Sequence, residues 1–326
     1  MSGKKNICFT ICDCNYLKYA LTLADSFLEK EGERFEFYLV LANYKSGFSP
    51  EDTKEIAAKL QNIIKGLKVL WDDTFIPASR RDELFSKYNV VEYCTGIKAL
   101  AFQYFFEKEQ ATNTIYLDPD IKVYGNFNSV LNELESNNIV LTPHINNANT
   151  SSDFKDLREI KFLNVGVFNL GFIGVSKSEE SMHFLEWWNM RLMEYCYVNT
   201  GKGQFVDQIW LNFAPVFFDK VFVLKNPGLN IAYWNYKERK DFLENNYKQY
   251  QLKGDVAFVH FSARANLKAL PVLDKYLGDY ERSLDQMDVH LKSEGLLFAK
   301  VIERRGKYKN YFFNGILKRI RGMVKT

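Results

Sequence analysis

Two carboxylates one residue apart, Asp118 and Asp120, stand in the stretch Thr114–Phe127, TIYLDPDIKVYGNF. Ile115, Tyr116 and Leu117 ahead of them read as a buried strand that stops at the acid–proline–acid. An open α/β sheet binds its ligands at the carboxyl ends of its strands. Paired carboxylates there can hold a hard divalent cation, Mn²⁺ or Mg²⁺, and such a cation can hold a diphosphate. His260 closes a second apolar run and is expected at the same sheet edge, where a neutral imidazole would serve as third ligand. A single histidine at a strand end is also a common structural residue, so this ligand depends on the company it keeps.

Three further places carry chemistry. The turn Ile11-Cys-Asp-Cys-Asn-Tyr16 follows the first apolar run. Asp13 and Asn15 can hydrogen-bond a base and Tyr16 can stack on it, or the Asx side chains merely close the turn. The turn has no glycine-rich run, which argues against nicotinamide enzymes and P-loop kinases. Asp207 and Gln208 precede an apolar run and either face a cleft or stabilise a first helical turn. Trp234, in Ala232-Tyr-Trp-Asn235, either stacks on a sugar face or belongs to the core.

Alternating apolar runs and amphipathic stretches must position these groups. Strands are expected at Asn6–Cys12, Phe35–Ala42, Leu67–Leu70, Ile139–Thr142, Gly166–Val175, Val221–Leu224, Ile231–Trp234 and Val256–His260, besides the one before Asp118. Helices are expected at Tyr16–Glu31, Pro50–Ile64, Cys94–Lys108, Glu179–Tyr195, Gln204–Phe213 and from Pro271 onward. The polar stretch His144–Lys161 reads as a long loop. Such alternation gives an α/β fold with a doubly wound, mostly parallel sheet.

The chain has 326 residues, is 47% hydrophobic, and contains 27 Phe and 19 Tyr, enough for a substantial core. A net charge of +3 makes no case for nucleic acid as a partner. Five cysteines without a CxxC pair read as reduced thiols. The first residues lack the apolar run of a signal peptide, and no stretch is long enough to span a bilayer.

Jointly, these motifs resemble the family 8 glycosyltransferases, which have the GT-A fold and use nucleotide-diphosphate sugars. Asp13, Asn15 and Tyr16 match the family's N-terminal Asp-x-Asn-Tyr, with Ser26 in place on the next helix. Lys98 matches its cation facing the diphosphate, and Asp118 and Asp120 its Asp-x-Asp. Asn169-Leu-Gly171 matches its Asn-x-Gly, and Asp207, Gln208, Leu211 and Asn212 its Asp-Gln-x-x-Leu-Asn. The last motif, histidine then glycine then lysine, is met at His260 but carries Ala263 and Asn266 in the other places. Arg264, or else Lys268, is assigned the missing charge on the diphosphate. The motifs run in order from residue 7 to about 264.

The resemblance implies a metal-dependent hexosyltransferase, retaining configuration and taking a UDP-linked donor to a hydroxyl acceptor. On it, Asp118, Asp120 and His260 hold the metal, while Ile11, Asp13, Asn15, Tyr16 and Arg264 bind the nucleotide. Asn169, Gly171 and Trp234 line the sugars, and Asp207, Gln208 and Lys98 carry the reaction. The expected organisation is a catalytic domain over residues 1–270 and a helical extension over 271–326. Residues 300–326 hold nine Lys or Arg against one Glu, with Phe313, Ile316, Leu317, Ile320 and Val324 as an apolar stripe. Such a segment suits an anionic membrane surface, giving a peripheral protein on the inner face of the cytoplasmic membrane with a glycan or lipid-linked acceptor. Surface-glycan assembly is the expected setting. Two rivals are a sugar-1-phosphate nucleotidyltransferase, which needs a glycine-rich basic loop after strand one, and a non-catalytic carbohydrate-binding protein of the same fold.

Overall fold

Strand β1 (Asn6–Cys12) alternates Ile7, Phe9 and Ile11 on one face with Cys8 and Cys12 on the other, and all five are buried. A strand buried on both faces belongs in the middle of a parallel sheet. β1 pairs in parallel with β2 (Phe35–Leu41) and with β4 (Asn113–Leu117), and β2 pairs in parallel with β3 (Leu67–Trp71). The sheet runs on through β7 (Phe168–Ser176) and β6 (Ile139–Pro143) to β10 (Val221–Val223) in the order β10-β6-β7-β4-β1-β2-β3. β7 alone among these seven runs antiparallel to its neighbours. The coordinates are a computed structural model that describes residues 4–44, 46–148, 158–247 and 256–296.

Helices cover both faces. On one lie α1 (Leu17–Glu31), α2 (Pro50–Ile63) and α6 (Asn128–Leu134), with Leu21, Phe27, Leu60 and Val130 against Phe37, Leu39 and Ile115. On the other lie α3 (Ala78–Lys87), α4 (Val90–Gly96), α5 (Lys98–Glu107) and α8 (Glu179–Tyr195), with Phe102, Phe105, Phe106 and Trp188 against Phe9 and Tyr116. Ser49 and Asn89 begin α2 and α4 with capping boxes closed by Asp52 and Glu92. A two-stranded ribbon stands apart from the main sheet, made of β5 (Ile121–Val123) and β11 (Phe258–His260) in antiparallel register. Ser26 Oγ accepts the Val123 N–H at 3.1 Å, so α1 fastens this ribbon.

The remaining elements are α7 (Arg158–Val165), the short strands β8 (Val198–Asn199) and β9 (Gln204–Phe205), α9 (Ala214–Phe217), α10 (Tyr236–Tyr247) and α11 (Pro271–Ser293). In α11, Leu273, Tyr276, Leu277, Tyr280, Leu284, Met287 and Leu291 keep helical spacing and are buried. Lys18 meets Asp288 at 2.9 Å and Lys122 meets Asp279 at 2.6 Å, tying α11 to α1 and β5.

Several local expectations are corrected. The single helix over Cys94–Lys108 is two, broken at Ile97 where ψ is 1°. The long loop from His144 gives way to α7 at Arg158. The helix over Gln204–Phe213 is strand β9, then a positive-φ residue, Val206, then a 3-10 helix from Gln208 to Phe213. Ile231–Trp234 is no strand: Ile231 makes one isolated bridge to Val259. The helix Ala78–Lys87 is missing from the sequence reading. No described helix is long and apolar enough to cross a membrane. The basic stripe at 300–326 lies outside the described residues.

Candidate active site

β4 ends at Leu117, and the Asp118 N–H donates to Gly171 O of the antiparallel β7 at 2.9 Å. The Ile121 N–H closes the turn onto Asp118 O, and the Phe261 N–H reaches Asp120 O at 2.8 Å. The backbone thus brings β11 back beside the two acids. His260 Nε2 lies 3.1 Å from Asp120 Oδ1 and 3.8 Å from Asp118 Oδ2. One ligand atom from each of the three residues lies within 4.8 Å of the others. Two carboxylate oxygens and an imidazole nitrogen suit a hard to borderline divalent cation. Burial disfavours charge on His260, but Asp120 and Asp118 outweigh it and raise its pKa. Burial also opposes ionisation of Asp120, and His260 overcomes that and lowers its pKa.

Gly171 makes room for this arrangement. A Cβ there would lie 2.5 Å from His260 Cε1, 2.7 Å from Nδ1 and 2.8 Å from Asn169 Oδ1. The imidazole is buried, with Trp234 edge-on at 5.3 Å, so it cannot swing away freely. Gly171→Ala is expected to push the ring out of line and weaken Mn²⁺ binding about 10-fold or more while the circular dichroism spectrum is retained. A titration with Mn²⁺ checks it: unchanged affinity would remove His260 from the ligand set.

Behind the acids, Lys98 Nζ lies 2.7 Å from Asp207 Oδ2 and 3.5 Å from Asp118 Oδ1, donates to Leu170 O, and sits over the Tyr116 ring. Lys98 is 3% exposed and Asp207 2%, so this is a buried ion pair. Burial opposes the ammonium, but Asp207 and Asp118 raise its pKa. Burial pushes the Asp207 carboxyl up to about 6, against the pull of Lys98. The 2.7 Å contact sets the ammonium against the carboxylate, each favouring the charged form that burial opposes in the other. Val206, just before Asp207, has a φ of 41°, a strained setting for a β-branched residue. Gln208 is buried, accepting from Leu170 N at 3.4 Å and donating to Val165 O at 2.6 Å. Asn169 is buried beside it, its amide bonded to Gly171 N, His144 and Asn230.

At the end of β1, Ile11 is in the core, while Asn15 donates its amide to the Asp13 carboxylate. Tyr16 is 42% exposed and packs against Tyr19 at 4.5 Å. Arg264 donates to Tyr19 Oη at 3.0 Å and lies over its ring, whereas Lys268 is exposed. Ala263, where the resembled motif has glycine, adopts the left-handed conformation with φ 51°. Left-handed backbone costs a residue with a Cβ about 1–2 kcal/mol, and glycine returns part of that as unfolded-state entropy. Ala263→Gly is expected to stabilise the protein by about 0.5 kcal/mol, read as a small rise in Tm. A fall in Tm would mean that the Ala263 methyl has a packing role.

Sequence reasoning missed Asn230, His144 and Tyr19. Asn230 lies between the apolar runs Val221–Leu224 and Ile231–Trp234, and His144 opens a polar stretch, so spacing singles out neither.

The crystal structure of the galactosyltransferase LgtC in complex with donor and acceptor sugar analogues matches this chain with a TM-score of 0.52. It covers 86% of this chain and 95% of LgtC at 17% identity. The chain has the GT-A fold. Within this GT-A fold the acids, His260 and the Asp13–Tyr16 turn share one edge of the sheet. Among curated proteins, the uncharacterized protein YfnF of Bacillus subtilis (strain 168) is 26% identical over 218 residues, 65% of this chain and 69% of YfnF. YfnD of the same organism is 27% identical over 181 residues, 52% of this chain and 53% of YfnD. No family model matches the chain.

Proposed function

We propose that this protein is a metal-dependent glycosyltransferase of the family 8 type, moving a hexose from a nucleotide-diphosphate sugar to a hydroxyl acceptor. The observation that carries the proposal is the Asp118–Asp120–His260 cluster at the edge of a GT-A sheet. In this reading the three residues hold Mn²⁺ or Mg²⁺, whose chemistry is to neutralise charge on a departing diphosphate. Asp13, Asn15 and Tyr16 bind the base of a UDP-linked donor, with the Ile11 backbone alongside. Arg264 grips phosphate oxygens, a role its planar guanidinium suits. Lys98 adds positive potential behind the diphosphate. Asp207, Gln208, Asn169, Gly171 and Trp234 bound the space for the donor sugar and acceptor.

The glycosyl–phosphate bond breaks and a bond from the anomeric carbon to the acceptor oxygen forms. The acceptor proton passes to the departing diphosphate oxygen, with retention of configuration. A membrane-presented glycan acceptor and a peripheral position in surface-glycan assembly rest on the basic segment 300–326.

The deciding experiment incubates the protein with a panel of nucleotide sugars, with and without Mn²⁺, and measures release of nucleoside diphosphate. One UDP-sugar is expected to be cleaved only with the metal. Release of pyrophosphate from a nucleoside triphosphate and a sugar phosphate would instead mark a nucleotidyltransferase. Sugar binding without any turnover would mark a non-catalytic protein.

A further inference from the structure

Four buried side chains form one line of hydrogen bonds that ends on the imidazole of His260. His144 Nδ1 lies 3.3 Å from Val167 O, and Asn169 Nδ2 lies 3.1 Å from His144 Nε2. Asn230 Nδ2 lies 2.9 Å from Asn169 Oδ1 and 3.0 Å from Thr142 Oγ1. His260 Nδ1 lies 3.2 Å from Asn230 Oδ1.

The direction of every bond in the line follows from one backbone group. The Gly171 N–H, which can only donate, points at Asn169 Oδ1 at 3.1 Å. That end of the Asn169 amide is therefore the oxygen, and the nitrogen faces His144. His144 Nε2 must then accept, leaving the proton on Nδ1 to face Val167 O, which can only accept. On the other side, Asn169 Oδ1 requires a donor, so Asn230 presents its nitrogen there and its oxygen to His260. An amide oxygen can only accept, so His260 carries a proton on Nδ1. Its Nε2 faces Asp120 and Asp118.

The line is also held in place. Asn230 has a φ of 54°, which asparagine tolerates better than most residues, and its carbonyl accepts from Asn235 Nδ2 at 2.9 Å. Phe162 stacks on His144 at 4.5 Å. Burial pushes His144 down to about 3, so it stays the neutral acceptor that the line requires.

We propose that Asn230 and Asn169, backed by His144, are positioning residues that lock His260 as its Nδ1–H tautomer and present the Nε2 lone pair to the metal. The inference rests on the reading of Asp118, Asp120 and His260 as a cation site. The partners that orient a ligating histidine change metal affinity by about 10–100-fold.

Two measurements test it, neither of which needs turnover. In ¹⁵N-histidine-labelled, metal-free protein, at a pH above the titration of His260, the ring is expected to carry its proton on Nδ1, as is His144. Their signals are assigned against His183 and His290, the other histidines of the chain. In the Asn169→Asp variant, whose carboxylate can only accept, His144 is expected to gain a proton on Nε2 while His260 keeps its own on Nδ1. In Mn²⁺ titrations followed by electron paramagnetic resonance, Asn230→Leu is expected to weaken binding about 10–100-fold. Nε2–H at His260 in the metal-free protein overturns the proposal, as does wild-type affinity in Asn230→Leu. If Asn230→Leu does not fold, the wild-type spectrum still decides. Failure of the wild-type protein itself to bind Mn²⁺ would overturn the metal reading rather than the relay alone.

Discussion

Replacing Asp118 or Asp120 by asparagine is expected to cut glycosyl transfer about 100-fold or more and to leave the fold intact. Asparagine keeps the shape of the side chain and one accepting oxygen, so Tyr116 Oη, 2.7 Å from Asp118 Oδ1, retains a partner. Lys98 retains Asp207. What is lost is charge at the position where a cation is proposed to bind, and charge is what a hard cation needs from its ligands. Rates of donor cleavage in the variants and in wild-type protein treated with EDTA, alongside thermal melts, check this. Undiminished transfer after complete chelation would refute the metal assignment.

The second large effect is on stability. Removing one partner of a buried ion pair leaves an uncompensated charge and costs about 3–5 kcal/mol. Asp207→Leu is expected to destabilise the protein on this scale, since the Asp118 carboxylate is a poorer partner for Lys98 at 3.5 Å. Lys98→Met is expected to do likewise by stranding Asp207. The double variant should recover much of the loss, because apolar groups of similar size can replace a buried pair at little cost. Urea denaturation of the four proteins gives the coupling directly, and additive losses would mean that the two charges do not depend on each other. The burial of Asp207 also sets a pH dependence. The folded-state pKa of Asp207, about 6, is above its ordinary value, so the folded protein holds this proton more tightly than the unfolded chain does. This contribution to stability is complete below about pH 4 and is lost as pH rises through about 6. Asp207→Asn should remove that slope.

Much of this site is legible in the sequence because its charged groups sit where apolar runs stop. Asp118 and Asp13 each follow a strand, and the parallel winding carries such ends to one edge, while His260 ends β11 and is brought beside the acids by antiparallel pairing with β5. Asn169 and Gly171 reach the same edge for the opposite reason: β7 runs antiparallel, so its beginning, not its end, lies beside Asp118. Period-2 patterning is blind to strand direction, and the sequence gives no warning of this. Nor does it separate the polar groups that line the site from those that support it. Asn169 reads as a sugar contact and Gln208 as a group that carries the reaction, yet both spend their amides on neighbouring backbone and side chains. β5 is too short to leave a pattern of its own, so the pairing that draws the Val256–His260 run into a ribbon goes unread, and the 3-10 segment at Gln208–Phe213 carries the apolar spacing of an α-helix.

The ribbon has a consequence for the order in which the chain can assemble. Among the described residues, Ile121–Val123 has no strand partner until Phe258–His260 exists, although the turn that bears Asp118 and Asp120 directly precedes it. On the ribosome, β1, β2 and β4 can pair long before that segment is made. Phe258 is fully buried and stacks on Phe127 with their rings 5.6 Å apart, so a nascent chain lacking it exposes part of the core beneath α6. Contacts of such sequence separation form slowly because the chain between them must first be closed into a loop. The acids are thus made early and completed last. A chain released before residue 258 should be prone to aggregation and unable to assemble the full ligand set, however well its first strands have paired.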